Sequence, residues 1–285
     1  MDKIIKAVTF GGKARVSVMD ITETVNKAIA VHGLSPLTSA TLGRSLMIGA
    51  YISANLKGAR EKFNVIIDGK GPIGKIYVAG DAGGKIKGYV ENPVLDLPAK
   101  NGKHDVGGAV GTDGDMLIIK DLGLKEPYIG RCELVSGEIA EDYATYLLKS
   151  EGIPSAVAFG VLTDKDGCKA AGGIVVEALP DADDNMIFIL EDIMTNFNQI
   201  STLLTEKTAE EIMDFYFGHL DTEIFPAEPI EWYCNCKEKV KMAIRSLGIE
   251  EAKDIIKEQG EIEVKCDYCN TKYHFNNDDL DEIFN

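Results

Sequence analysis

The stretch Ser35–Leu56, SPLTSATLGRSLMIGAYISANL, decides how the first part of the chain must fold. Ser35 and Pro36 suit an N-cap and a first helical turn. Behind them, small and apolar residues occupy every face of a helix, with Arg44 the only charge before Lys57. A helix with no polar side is buried on every side. The surrounding segments are therefore expected to wrap it.

Those segments supply the wrapping. IIKAVTF and KARVSVMD, joined around Gly11 and Gly12, read as a hairpin. A helix follows, with Asp20 and Glu23 as a capping box, Val25, Ile29 and His32 on one face, and Gly33 to close it. Beyond the central helix, FNVIID, KIYVAG and KIKGYVE read as a meander of short strands, with turns at GKGPIG and DAGG. Later strands are expected at MLIIKDL, SAVAFGVLT and AAGGIVVEAL, and a helix over Glu138–Lys149. Strands on both sides of a buried helix predict an α+β fold with a three-layer β/α/β body, over residues 1–178.

The composition changes at LPDADDN, residues 179–185. Ile193, Phe197, Ile200 and Leu204 then mark one amphipathic face. Thr208 and Glu211 cap a second helix carrying Ile212, Met213, Phe215, Tyr216 and Phe217. This is a helical linker over 179–231, broken near its end by Pro226 and Pro229. A small module over 232–285 completes the chain.

Composition narrows the function classes. The 285 residues carry a net charge of −16, spread along the chain, which argues against a surface for a phosphate backbone. There is no basic segment followed by an apolar run at the start, and no apolar stretch approaches the length of a membrane span. A cytoplasmic location is the expectation. In that reducing compartment the six cysteines are expected as ligands, reactive thiols or buried thiols rather than a disulfide framework.

Four of them lie in the terminal module, in EWYCNC and KCDYC. Cys266 and Cys269 have the spacing of a metal-binding knuckle, and Cys234 and Cys236 are a tighter pair about thirty residues earlier. Two such pairs supply the four soft ligands of a zinc tetrahedron. Between them, Ile244 with Leu247 and Ile255 with Ile256 mark two short helices that bring the pairs together. A module this small is expected to depend on its metal for folding. His274 is a possible substitute ligand, and a metal that merely staples the C-terminus is the plain alternative.

Other motifs are set aside. Gly69, Gly71 and Gly74 match a dinucleotide fingerprint, but strand-like KIYVAG follows where a helix N-terminus is needed, so they read as a hairpin turn. No GxxxxGK[ST] motif supports ATP use. Asp181, Asp183 and Asn185 imitate a calcium loop, yet Met186 stands where Gly is required. Asp164 and Asp166 before Gly167 suit a turn. Cys132 and Cys168 read as buried thiols. None of His32, His104 and His219 pairs with an evident nucleophile.

The whole chain resembles the heat-shock protein 33 family of redox-regulated chaperones. The segments GKGPIGKIYVAGDAGGKIKGYVENP, PYIGRCELVSGEIAEDYATYLLKSEGIPS and AAGGIVVEALP are similar to signatures of that family's body, and WYCNC and VKCDYCNTKYHF to those of its switch. Gly152 departs from the pattern, where Gln would be expected after Ser150-Glu151.

The resemblance implies zinc on Cys234, Cys236, Cys266 and Cys269 in a latent, reduced state. It implies oxidation to Cys234–Cys236 and Cys266–Cys269 disulfides, with zinc release and unfolding of the module. The linker helices would then lose their packing partner and bare Phe197, Ile200, Phe215, Tyr216 and Phe217, which are packed while the protein is reduced. The result would be an ATP-independent holdase for unfolded or oxidatively damaged client proteins, homodimeric when active. It would be no enzyme, and would bind no nucleic acid, nucleotide or membrane.

Two other classes compete. A nucleic-acid-binding zinc module needs a basic surface, whereas the tail from Trp232 carries eight Lys and Arg against twelve Asp and Glu. A thiol oxidoreductase using Cys266 and Cys269 calls for a thioredoxin-like βαβ setting and a free dithiol.

Overall fold

The computed structural model describes residues 1–100 and 102–284. They form two compact units, divided between Trp232 and Tyr233. The first unit begins with strands β1 (Lys3–Thr9) and β2 (Ala14–Asp20) and helices α1 (Thr22–His32) and α2 (Pro36–Asn55). Strands β3 (Lys62–Asp68), β4 (Ile76–Asp81) and β5 (Lys85–Val90) follow, then the short helix α3 (Val106–Val110). Next come β6 (Asp115–Asp121), β7 (Tyr128–Glu133), α4 (Ala140–Glu151), β8 (Ser155–Asp164) and β9 (Gly167–Ala178). The unit ends with α5 (Asp184–Met194), α6 (Ile200–Glu206), α7 (Ala209–Phe217) and three two-residue strands, β10 (Glu223–Ile224), β11 (Glu228–Pro229) and β12 (Glu231–Trp232).

Helix α2 is buried from Leu37 through Ala54, with Arg44 as the exception. Its buried hydroxyls are satisfied by carbonyls: Thr41 Oγ1 donates to that of Leu37 at 2.9 Å and Ser45 Oγ to that of Thr41 at 3.0 Å within the helix, while Thr38 and Ser53 donate to Pro93 and Asp81 outside it. Half-buried Arg44 pairs with Glu138 at 2.6 Å, so the one charge of the helix is compensated where it leaves the core. Two sheets enclose α2. The first has the order β10-β1-β2-β9-β8, with β11 also on β1, and the second the order β12-β5-β4-β3-β6-β7. The expected three-layer β/α/β body is present.

Glycines let the helix approach both sheets. A Cβ on Gly43 would lie 2.7 Å from Val161 Cγ2 of β8, and one on Gly49 would lie 2.7 Å from Val78 Cγ1 of β4. Both are closer than carbon atoms pack.

The two sheets differ on their outer faces. In β3 of the second sheet, Phe63, Val65 and Ile67 point into the core while Lys62 and Asn64 are exposed. The first sheet is apolar on both faces. Ile4, Met19 and Val175 pack toward α2, whereas Ile5, Ala7, Val16, Val18, Ile174 and Val176 form a second core on the far side. Leaving that stripe in water would cost roughly 1.5–3 kcal/mol per large side chain. Helices α5, α6 and α7 cover it with Met186, Leu190, Phe197, Ile200, Ile212, Met213 and Phe217. The linker expected to lean on the terminal module thus has the first sheet as its packing partner.

Some local readings need correction. The capping carboxylate of α1 is Asp2, which accepts from the Glu23 and Thr24 amides at 2.9 and 2.6 Å. Asp20, expected in that role, binds the Thr22 amide and hydroxyl. Gly33 closes the helix in the left-handed region as expected. Thr208 and Glu211 form the expected capping box of α7. Strand β7 had no counterpart in the reading of the sequence.

The second unit contains α8 (Cys236–Leu247), α9 (Ile249–Gln259), the hairpin β13 (Ile262–Lys265) and β14 (Lys272–Phe275), and α10 (Asn277–Phe284). Val240, Ile244, Ala252, Ile256, Ile262, Phe275, Leu280 and Ile283 make its small core. Among the described residues, no helix is long and apolar enough to cross a membrane.

The packing of α2 gives a direct test. Gly49→Val places two methyls against Val78 and Phe63, and is expected to destabilise the body by about 1–3 kcal/mol. A lower urea midpoint with an unchanged slope would record it.

Candidate metal centre

Two local devices set out the four cysteines of the second unit. Cys236 is the first residue of α8, which fixes its backbone, and Cys234 precedes it in the extended entry. Cys266 and Cys269 lie in the turn between β13 and β14. There the Cys266 amide donates to the Thr271 carbonyl at 3.0 Å and the Asn270 amide to the Cys266 carbonyl at 2.8 Å. Asn270 takes the left-handed conformation that closes this knuckle, φ 55°, a role asparagine tolerates better than most residues.

The four sulfurs lie within 4.8 Å of one another. Cys234 Sγ is 3.8 Å from Cys266 Sγ, and Cys236 Sγ is 3.3 Å from Cys269 Sγ. Among the described residues this is the one cluster of three or more Cys, His, Asp or Glu side chains placed to hold a metal ion. His274 is outside it: its Nδ1 lies 2.9 Å from Glu261 Oε1 on the hairpin surface.

The sulfurs are not equivalent. Burial pushes the Cys266 thiol up. Burial also opposes ionisation of Cys269, yet its hydrogen bonds with Thr271, whose Oγ1 is 3.2 Å away, outweigh this and bring it down to about 7. Cys236 Sγ lies 3.1 Å from the Tyr273 hydroxyl, and this hydrogen bond is the leading reason that Tyr273 holds its proton well above the usual phenol range. Thr271 and Tyr273 are thus hydroxyl partners of Cys269 and Cys236, and sequence reading missed both.

The remaining candidates fall elsewhere. Phe197, Ile200 and Phe217 are buried under the first sheet and Tyr216 is half-buried there. Phe215 departs from the expected packing: it is 62% exposed, on the solvent side of α7, with Lys207 Nζ 5.3 Å from its ring centre. Cys132 and Cys168 are buried in the body, and burial pushes both thiols up, Cys168 to about 12. Gly69, Gly71 and Gly74 lie in the hairpin connection from β3 to β4, where Cβ atoms on Gly69 and Gly71 would lie 2.3 Å from the carbonyl oxygens of Gly111 and Ala109. Asp183 caps α5 by accepting from the Met186 amide at 3.0 Å. Asp164 accepts from the Asp166 amide in the β8–β9 turn.

A helix sandwiched between two sheets, followed by a small unit with four converging thiols, defines a two-unit α+β protein with four cysteines placed to hold a metal ion. A family model described as "Hsp33 protein" matches residues 2–276. The chain is 40% identical over 288 residues to a 33 kDa chaperonin of Clostridium beijerinckii, covering 100% of this chain and 98% of the relative. It is also 40% identical over 287 residues to a 33 kDa chaperonin of Clostridium perfringens, covering 99% and 91%. The solved 33 kDa chaperonin of Thermotoga maritima, a heat shock protein 33 homolog, superposes with a TM-score of 0.88 at 36% identity, over 99% of this chain and 97% of that one. The chain belongs to the Hsp33 family of chaperones.

The hydroxyl beside Cys236 is open to test. Tyr273→Phe is expected to weaken metal binding roughly tenfold, the low end for losing a partner of a ligand. Competition against a chromophoric chelator would measure it, and an unchanged affinity would count against the contact.

Proposed function

We propose that this chain is a redox-regulated, ATP-independent holdase, latent when reduced and zinc-loaded, and active once its four cysteines are oxidised. The observation that carries the proposal is the convergence of four sulfurs within 4.8 Å in a unit with a very small apolar core. Zinc–sulfur bonds of about 2.3 Å set the sulfurs of a tetrahedron roughly 3.8 Å apart. The 3.8 and 3.3 Å separations suit such a site. When bound, zinc holds the sulfurs as thiolates and supplies on the order of 10 kcal/mol or more of folding free energy.

A thiolate attacks a peroxide or hypochlorite, becomes a sulfenic acid, and condenses with a neighbouring thiol to a disulfide with loss of water. We assign the bonds as Cys234–Cys236 and Cys266–Cys269, the pairing that the resemblance to the Hsp33 family implies, each within one short stretch of sequence. Sulfurs consumed in disulfides no longer hold the metal. A gain of that size is comparable to the whole stability of a domain, about 5–15 kcal/mol, so losing it unfolds the oxidised second unit.

The client surface follows from the body. The outer face of the first sheet is apolar and is covered by α5, α6 and α7. Helices that leave it bare both the sheet and their own Phe197, Ile200, Tyr216 and Phe217, while Phe215 is exposed already. An apolar surface of this extent captures unfolding or oxidatively damaged proteins without nucleotide. The proposal includes a cytoplasmic location, a homodimer in the active form, no catalytic turnover, and no part for nucleic acid or membrane. The helical segment 179–231 serves as a movable cover on a body, 1–178, and 232–285 as the redox module.

Hypochlorite treatment of the zinc-loaded protein tests this. Zinc release, disulfide mapping and suppression of a heat-denatured client's aggregation are recorded together. The expected outcome is loss of zinc, the two pairings named above, and a holdase activity rising from near nothing, all reversed by dithiothreitol and zinc. Zinc loss with client aggregation unchanged would reduce the site to a structural staple. Mapped Cys234–Cys266 and Cys236–Cys269 bonds would overturn the pairing alone.

A further inference from the structure

The segment Glu223–Trp232 closes one edge of each sheet. On β1, Ile224 lies opposite Ala7, Glu223 opposite Val8, Pro229 opposite Lys3 and Glu228 opposite Ile4. Immediately afterwards Glu231 and Trp232 run parallel to Lys85 and Ile86 of β5. The Phe225 amide donates to the Lys6 carbonyl at 2.9 Å, that of Ile230 to Asp2 at 3.0 Å, and that of Glu231 to Gly84 at 2.9 Å. Lys6 pairs with Glu228 at 2.6 Å.

This strap has little strand pairing, and its apolar anchor is Ile230, buried in the α2 core with Trp232 packed beside it. Each of its strands is two residues long, and Pro226 and Pro229 offer no amide to any ladder. Ile224 and Phe225 remain 42% and 38% exposed. It pairs with Lys3, Ile4, Ala7 and Val8 of β1 and with Lys85 and Ile86 of β5, at the edges of strands seven and six residues long. Bare edges of that length are templates for pairing with another chain. The strap also ends two residues before Cys234, so it is joined directly to the metal centre.

We propose that the strap occupies a client site: when it lifts, the edges of β1 and β5 accept extended, apolar segments of unfolded polypeptide as added strands. This rests on the holdase reading and names how that holdase grips. The strap itself indicates what the edges take, an extended chain carrying Ile224, Phe225, Ile230 and Trp232. Backbone pairing is indifferent to sequence, with side chains adding only a bias, and this suits a protein that meets many clients.

Two adjacent glycines provide the test. Gly83 and Gly84 both have φ of 83°, so alanine strains the turn equally at either. A Cβ on Gly84 would lie 1.9 Å from the Pro229 carbonyl oxygen, whereas one on Gly83 meets nothing within 4 Å. In the full-length, reduced, zinc-loaded protein, Gly84→Ala is expected to lift the strap. Amide exchange along the β1 and β5 edges should quicken at least about tenfold, the equivalent of one lost hydrogen bond. The emission of Trp232, the single tryptophan, should shift to the red. Zinc should stay bound while client aggregation is suppressed without oxidant, and Gly83→Ala should behave as the parent protein does.

The same exchange measurement on the oxidised parent protein, with and without a thermally unfolding client, decides the case even if Gly84→Ala leaves the strap in place. Protection returning to the β1 and β5 edges with client supports the proposal. Aggregation suppressed while those edges exchange as fast as without client overturns it and leaves the holdase reading standing. If the oxidised parent suppresses no aggregation, that reading falls and this inference with it.

Discussion

A helix with no polar face cannot be left wet, and the rest of the body follows from that one constraint. Helix α2 has buried residues on all sides, so one sheet cannot cover it and two are needed. Two sheets reaching one helix from opposite directions require thin points on the helix, which Gly43 and Gly49 supply on the sides of β8 and β4. The sheets in turn present new faces. That of β3 is polar and stays in water, but the first sheet has a second apolar stripe and demands another layer. Helices α5 to α7 are that layer.

The second unit answers to a different constraint. Its core is small, and its helices are amphipathic with charged outer faces, so apolar burial alone leaves it marginal. Four thiols converging from a helix start and a hairpin turn compensate when a metal joins them. The arrangement places the smaller core and the four clustered thiols in the same unit. Thr271 beside Cys269 extends this coupling, since the hydrogen bonds that favour its thiolate for a metal also favour the form that oxidants attack.

Much of this was legible in the sequence because it is local. The period of α2, the strand alternations around it and the spacing of Cys234, Cys236, Cys266 and Cys269 each lie within a short window. What was not legible depends on partners distant in sequence. The α1 amides find Asp2 rather than Asp20 because β1 and β2 pair in a register that sets Lys3 beside Asp20 and carries the chain start to the helix. Tyr273 reaches Cys236 only through the register of the β13–β14 hairpin, where it stands opposite Val264. Strand β7 alternates poorly, with exposed Tyr128 and Ile129 in sequence, and so carries no clean signal. The apolar residues of β1, β2 and β9 showed strands, but only the assembled sheet reveals that its two faces are both apolar.

That two-faced sheet bears on how a latent chaperone can exist. A buried apolar surface is a permanent core unless its cover is held less firmly than what lies beneath. Here the difference is built into the elements. The layer facing α2 is a long helix and continuous strands of six to twelve residues, whose pairing runs without interruption over most of their length. The outer cover is made of helices broken at Thr195–Phe197 and at Lys207, and it is tied down by two-residue strands punctuated by prolines. Short helices draw little stability from their own hydrogen bonds, and two-residue pairings draw less. On the proposed reading, local opening divides the molecule along the plane between sheet and cover and leaves the α2 sandwich intact. The proposed holdase needs that ordering of stabilities, and element length and proline placement are consistent with it.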